Sequence, residues 1–225
     1  MSEEFSPKAM LIRALNELDN SRARSQQTEI GPSSLGDCRR KVYHQIKGTP
    51  ETNPNQEKLA AILGTFIHTG IEKAIASQDP FGNNFLTEIA TSYSGMPGHV
   101  DLFIKDVALV VDWKTQKLSN LRDFPTQAQI WQVQTYGLML SRQGYDVKKV
   151  SLVVIPRDGR MDQIAEYIAD FDPIEAMDGL NWLDEIYEIV DRKMKPPRPE
   201  RNAKQFCTRY CGFYDETAKI GCPGL

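Results

Sequence analysis

Asp101, Asp112 and Lys114 are the residues of this chain best placed for chemistry on a charged substrate. They lie in the stretch Gly98 to Lys114, GHVDLFIKDVALVVDWK. Two β-branched and aliphatic runs, HVDLFI and VALVVDW, flank the polar pair Lys105 and Asp106, which is the pattern of an antiparallel hairpin. Alternation along a strand puts Asp112 and Lys114 on one face and Val111 and Trp113 on the other. Burying an aspartate and a lysine among Val, Leu and Ile is unfavourable unless a partner or a metal compensates. Asp101, on the first strand, can lie beside Asp112 across the hairpin, and two carboxylates so placed could bridge one Mg²⁺ or Mn²⁺. An ordinary hairpin with a surface Lys–Asp pair is the alternative that the same residues allow.

A second set is Cys38, Cys207, Cys211 and Cys222. In a cytosolic chain these stay reduced, so disulfides are not expected. Cys207-x-x-x-Cys211 and Cys222 can converge on one centre, and Cys38 from the other end of the chain could complete a four-thiolate set. Tetrahedral zinc accepts four thiolates as well, so spacing does not choose between an iron–sulfur cluster and structural Zn²⁺. Such a clasp would fasten the proline-rich arm PPRPERNAKQF onto the helix that carries Cys38.

Several elements must position these groups. Residues 7 to about 24 place Met10, Leu11, Ala14, Leu15 and Leu18 at helical spacing behind Pro7, which predicts an amphipathic packing helix. SQQTEIGPSS is a polar connector, and Ser33 or Ser34 could cap a helix over LGDCRRKVYHQI, with Cys38 in its first turns. A long helix from roughly Gln56 to Ser77 has a wide apolar side, as expected against a sheet. Gly64, His68 and Glu72 form one row along it. A mid-helix glycine costs about 1 kcal/mol relative to alanine, and close approach of another backbone is a reason to keep Gly64. FLTEIATSY precedes the hairpin as a strand. Pro125 opens a helix ended by Gly144, with Gln132 and Tyr136 four apart on one face. KKVSLVVIPR is a buried strand, QIAEYIADF alternates as another, and Pro173 to Lys195 reads as a final helix. The sum is a mixed α/β core with helices on its faces.

At 225 residues, 40% hydrophobic and 25% charged, the chain can bury a substantial core. No apolar run approaches a membrane span and MSEEFSPK is not a secretory signal, so a cytoplasmic location without membrane contact is expected. The net charge of −3 does not announce a nucleic-acid binder. Basic residues nevertheless cluster at Arg39, Arg40 and Lys41 and again from Lys193 to Arg209. The absence of a Gly-x-x-x-x-Gly-Lys-Ser/Thr loop means that ATP-driven unwinding is not encoded here.

With His68 in Gly-x-x-x-His, Asp101 in Gly-x-x-Asp, Asp112-x-Lys114 and Gln132-x-x-x-Tyr136, in that order, the sequence resembles the PD-(D/E)XK nucleases of the RecB-like type. Cys38 upstream and Cys207, Cys211 and Cys222 at the end make it similar to their iron–sulfur branch, which includes Cas-four-type exonucleases and AddB-type nuclease domains. The resemblance implies a restriction-endonuclease-like core over residues 1–195 and a cluster region over 196–225. It makes His68, Asp101, Asp112 and the backbone carbonyl of Trp113 ligands of Mg²⁺ or Mn²⁺, with Lys114 orienting or deprotonating the attacking water. Gln132 and Tyr136 would contact the substrate backbone or the catalytic lysine. Glu72 and Glu88 would serve a second ion or, as an alternative, surface salt bridges.

The four cysteines would hold a [4Fe-4S] cluster, although the family more often has Cys-x-x-Cys and a shorter final gap; structural Zn²⁺ is the alternative. Arg39, Arg40 and Lys41 would line a route for a single strand. The expected activity is a DNA exonuclease acting on single-stranded ends in replication, recombination, repair or spacer processing. The alternative is a nucleic-acid-binding module working with an integrase, helicase or recombinase. His99 neighbours Asp101, and His44 lies on a polar helix; both are expected to be structural or solvent-facing.

Overall fold

The computed structural model describes residues 6–21, 30–53 and 58–225. Five strands form one sheet in the order β1-β2-β3-β4-β5: β1 Phe85–Tyr93, β2 Met96–Ile104, β3 Leu109–Gln116, β4 Lys149–Pro156 and β5 Ala165–Asp170. All neighbours are antiparallel except β3 and β4, which run parallel from Leu109↔Lys149 to Gln116↔Pro156. A parallel pair needs a crossover, and a helix spanning Gln127–Arg142 supplies it. The expected mixed α/β core is present. The hairpin turn is wider than the pair Lys105 and Asp106, because Val107 and Ala108 belong to it too, Ala108 with φ of 53°.

The described residues also form five longer helices, α1 Pro7–Ser21, α2 Arg39–Ile46, α3 Leu59–Gln78, α4 Gln127–Arg142 and α5 Pro173–Asp191, of which α3 and α4 lie on the sheet. The main core joins α4 to the sheet, with Val133, Tyr136, Met139 and Leu140 against Val100, Phe103, Val110, Val150 and Leu152. Each such side chain, fully buried, contributes about 1.5–3 kcal/mol. A second cluster packs α2 on α5 through Val42, Tyr43, Leu183 and Ile186. Thr126, rather than Pro125, caps α4, in a reciprocal capping box with Gln129. Gln134, buried inside α4, donates to Asp170 O and accepts from Asp172 N–H, which pins the end of β5 and the start of α5 to the crossover helix.

Several sequence expectations need correction. The helix α1 forms, but Met10, Leu11 and Ile12 lie open to solvent, so it is not a packing helix among the described residues; its predicted extension to residue 24 and the side chain of Leu18 lie outside them. Periodicity specifies an apolar face and says nothing about what covers it. Ser33 and Ser34 lie in a separate 3₁₀ turn, and Cys38 itself is the N-cap residue of α2. Finally, α3 is long and apolar enough to cross a membrane by length and composition, contrary to the expectation that no segment is. It lies instead on β1, β2 and β3. Only Ile62 is fully buried in it, and Leu59 and Phe66 are 53% and 44% exposed. The predicted start at Gln56 lies outside the described residues. At Gly64 no other backbone comes close: the nearest atom to an added Cβ is the side-chain Oγ1 of Thr115 on β3, at 3.4 Å.

Candidate active site and cysteine pocket

The β2–β3 ladder runs from Ile104↔Leu109 to Leu102↔Val111. One step further, a side chain takes over from the backbone: Asp101 Oδ2 accepts the Trp113 N–H at 2.8 Å. The other oxygen of Asp101 lies 3.4 Å from His68 Nδ1 on α3. On β3, Asp112 Oδ2 is 2.7 Å from Lys114 Nζ. From α4, Gln132 Nε2 reaches both Asp112 Oδ1 and the Tyr136 hydroxyl, each at 3.3 Å. Residues far apart in sequence thus meet where β2 and β3 part. Asp101 and Asp112 are only 4% and 3% exposed.

Burying two carboxylates so close together sets up opposing effects. For Asp101, burial pushes the pKa up, but the nearby His68 imidazole, the Trp113 N–H and Lys114 outweigh it and hold the carboxyl below its ordinary value. For Asp112, burial prevails: its pKa is raised despite Lys114, and the Asp101 charge adds to the rise. The site therefore has one carboxylate whose ionised form is favoured and one whose ionised form burial disfavours. Asp112 Oδ2 faces Lys114 without a well-directed hydrogen bond, and His68 Nδ1 is likewise buried without one. Among the described residues no group of three His, Cys, Asp or Glu side chains forms a ready shell for a single ion. The donor chemistry of a buried imidazole nitrogen and under-coordinated carboxylate oxygens nevertheless fits a hard divalent cation.

The outlying candidates fall in different places. Glu72 is half-buried one turn beyond His68. Glu88 is exposed on β1, where the ladder skips from Thr87↔Leu102 to Ile89↔Val100, with φ of 49°; it stands across β2 at the level of Asp101. His99 is exposed. Arg39, Arg40 and Lys41 are engaged within the chain. Arg39 pairs with Glu185 at 2.7 Å and lies over Trp182, Arg40 donates to His44 Nε2 and Pro197 O, and Lys41 pairs with Asp37 at 2.7 Å. The cluster that reads as a phosphate track in sequence fastens the C-terminal arm, because Glu200 and Arg201 also bind this segment, through Arg39 N–H and Asp37.

The four cysteines, all free and buried, line one pocket together with Lys41, Arg201 and Phe206. Burial, then the neighbouring Cys211, Cys222 and Cys38, push the Cys207 thiol up to about 11. That crowding is what a thiolate-binding group would relieve, and the donor set suits a cluster or zinc. The wide gap from Cys211 to Cys222 is closed by a loop wound on Asp215. Its carboxylate accepts from Thr217, Ile220 and Gly221, bonds that hold it well below the usual carboxylate range. Cys222 N–H then donates to Phe213 O and Asp215 N–H to Cys222 O. Cysteine spacing gave no sign of this loop; the Asp-x-Thr turn signal at 215–217 could have found it.

His44 closes the pocket's flank. It is 3% exposed, stacked on Phe213 and hydrogen-bonded to Thr49 Oγ1, a structural role as expected, in a buried position. Arginine can only donate, so Arg40 obliges His44 Nε2 to accept. Burial, then Arg40 and Lys47, lower the His44 pKa to about 4. Between the ordinary value of 6.5 and that lowered one, the unfolded chain takes a proton that the folded chain refuses. This contribution to stability is present above the upper value and is lost as pH falls toward the lower. Urea midpoints measured across that window should fall more steeply for the wild type than for His44→Gln protein; equal slopes would refute the assignment.

No protein-family model and no curated protein sequence matches the chain. Among solved structures it is similar to SSO0001, with a TM-score of 0.57 and 21% identity over 93% of this chain and 95% of that one. It is also similar to the alkaline exonuclease LHK-Exo from Laribacter hongkongensis, with a TM-score of 0.51 and 12% identity over 74% of this chain and 89% of that one. The latter has also been solved in complex with dAMP. At these identities the likeness is one of fold: a mixed five-stranded sheet with helices packed on it.

Proposed function

We propose that this protein is a divalent-metal-dependent nuclease that hydrolyses phosphodiester bonds in DNA, working from single-stranded ends. The observation that carries the reading is the meeting of His68, Asp101, Asp112 and Lys114 where β2 and β3 separate. A fold shared with an alkaline exonuclease supports it. His68, Asp101, Asp112 and the Trp113 carbonyl would hold Mg²⁺ or Mn²⁺, which when bound neutralises phosphate oxygens and lowers the pKa of water. The chain's own residues do the rest. Gln132, donating to Asp112 Oδ1 and Tyr136, keeps the aspartate in one rotamer beside Lys114. The Lys114 ammonium orients the water and meets the charge that grows on the phosphate as the new O–P bond forms and the bond to the 3′-oxygen breaks. That oxygen leaves as a 3′-hydroxyl after taking a proton, and a 5′-phosphate remains.

The four-cysteine pocket would hold a [4Fe-4S] cluster, with Zn²⁺ as the alternative occupant, in a structural role that ties the C-terminal arm to α2. Visible absorbance with iron and zinc analysis of anaerobically purified protein decides between them. For the nuclease itself, the test is digestion of end-labelled linear and circular single strands with Mg²⁺ or Mn²⁺. Linear strands should shorten, circles should persist, and EDTA should stop the reaction. A folded chain that leaves both substrates intact with either metal would overturn the reading and favour a binding module acting beside an integrase, helicase or recombinase.

A further inference from the structure

The turn that presents Cys207 and Cys211 is a wide helical turn, Ala203–Cys207, followed by the single turn Thr208–Tyr210. Its own backbone closes Cys211 N–H on Cys207 O and Tyr214 N–H on Cys211 O, each at 3.2 Å. A carbonyl oxygen has two lone pairs, and a residue over 150 positions earlier supplies a second donor. Asn53 Nδ2 donates to Cys207 O at 3.3 Å, Thr208 O at 3.0 Å and Cys211 O at 2.8 Å. The backbone joins in, since Thr52 and Asn53 N–H both donate to Gly212 O at 3.0 Å. Two amide hydrogens shared among three carbonyls gather those oxygens on one side of the turn. The same strap is anchored at its other end, where Thr49 meets His44 on α2. Glu51 fills the space beside Gly212, where an added Cβ would fall 2.3 Å from its carboxyl carbon.

We propose that Asn53 is a positioning residue for the four-cysteine pocket, holding the Cys207–Cys211 turn by its carbonyl oxygens so that both sulfurs face the common centre. This rests on the reading that the cysteines hold an iron–sulfur cluster or zinc. A set of thiolates is repelled by the negative ends of peptide groups, so turning three carbonyls toward Asn53 keeps them away from the charge. Groups that orient ligands in this way typically matter 10- to 100-fold for metal affinity.

The test compares wild type, Asn53→Ala and Asn53→Asp, prepared anaerobically with iron and sulfide or with zinc. Asn53→Asp keeps the side-chain size but turns a donor into an anionic oxygen against three carbonyl oxygens. It should release its metal to EDTA about 10- to 100-fold faster and show an altered visible spectrum, with Asn53→Ala between it and wild type. Far-UV circular dichroism should stay unchanged, because the sheet does not depend on this contact. In metal-free protein, alkylation of Cys207 and Cys211 should be slow in wild type and fast in Asn53→Asp. Wild-type release and alkylation rates in Asn53→Asp would overturn the inference. If wild type binds neither iron nor zinc, the cofactor reading fails, while the alkylation comparison still decides the role of Asn53.

Discussion

Lys114→Ala and Asp112→Ala proteins are expected to keep their fold and to lose about 10²- to 10⁴-fold in the rate of DNA hydrolysis, the range that a positioned proton-transfer group contributes. Lys114 Nζ lies 2.7 Å from Asp112 Oδ2, and its side chain is 24% exposed. Truncating it removes charge from the reaction and leaves the hydrophobic core untouched. Asp112→Asn separates activity from stability. Burial raises the Asp112 pKa, Lys114 opposes the rise and Asp101 adds to it. A group whose pKa is raised by folding lends stability at acid pH and withdraws it as the pH climbs through that value. At neutral pH in EDTA, the Asp112→Asn protein should therefore melt no lower than wild type, while Mn²⁺ should raise the melting temperature of wild type alone. A wild-type rate of hydrolysis in folded Asp112→Ala protein would sink the catalytic assignment.

Gly221→Ala should open the cysteine pocket and leave the sheet and its core standing. An added Cβ would lie 2.2 Å from Phe213 O and 3.0 Å from Asp215 Cβ. The first of these is a backbone atom that also accepts the Cys222 N–H at 2.8 Å, so it cannot yield without releasing Cys222. Overpacking of this kind costs about 1–3 kcal/mol, concentrated in the loop wound on Asp215. Cys222 should react quickly with a thiol reagent, and any iron or zinc that the wild type takes up should be lost. Gly70→Ala makes the contrast, because nothing lies within 4 Å of its added Cβ in α3; there the same substitution should stabilise by up to about 1 kcal/mol. A Cys222 as protected in Gly221→Ala as in wild type would contradict this account of the loop.

The placement of the candidate catalytic side chains was largely legible from the sequence. Asp101 faces Asp112 and Lys114 because strand alternation and hairpin pairing are local consequences of β-branched runs separated by a turn, and His68 follows from a row of residues four apart on a helix. Gln132 and Tyr136 could be placed together for the same reason. The basic residues at 39–41 could not be read correctly: charge in a sequence does not disclose its partners, and here Glu185, Asp37 and the Pro197 carbonyl take it up.

Local periodicity fixes which side chains share a face, since helical and strand periods depend only on neighbours along the chain. It thereby sets the composition of the candidate catalytic group, and the chain supplies four thiols. Long-range packing is what makes Asp101 replace a ladder bond at the parting of β2 and β3, brings Asn53 and Asp215 onto the segments around the cysteine pocket, and leaves the apolar sides of α1 and α3 open among the described residues. Those outcomes depend on which buried carbonyl or apolar face finds a partner from a distant segment, a choice made by packing and hydrogen-bond satisfaction across the whole fold.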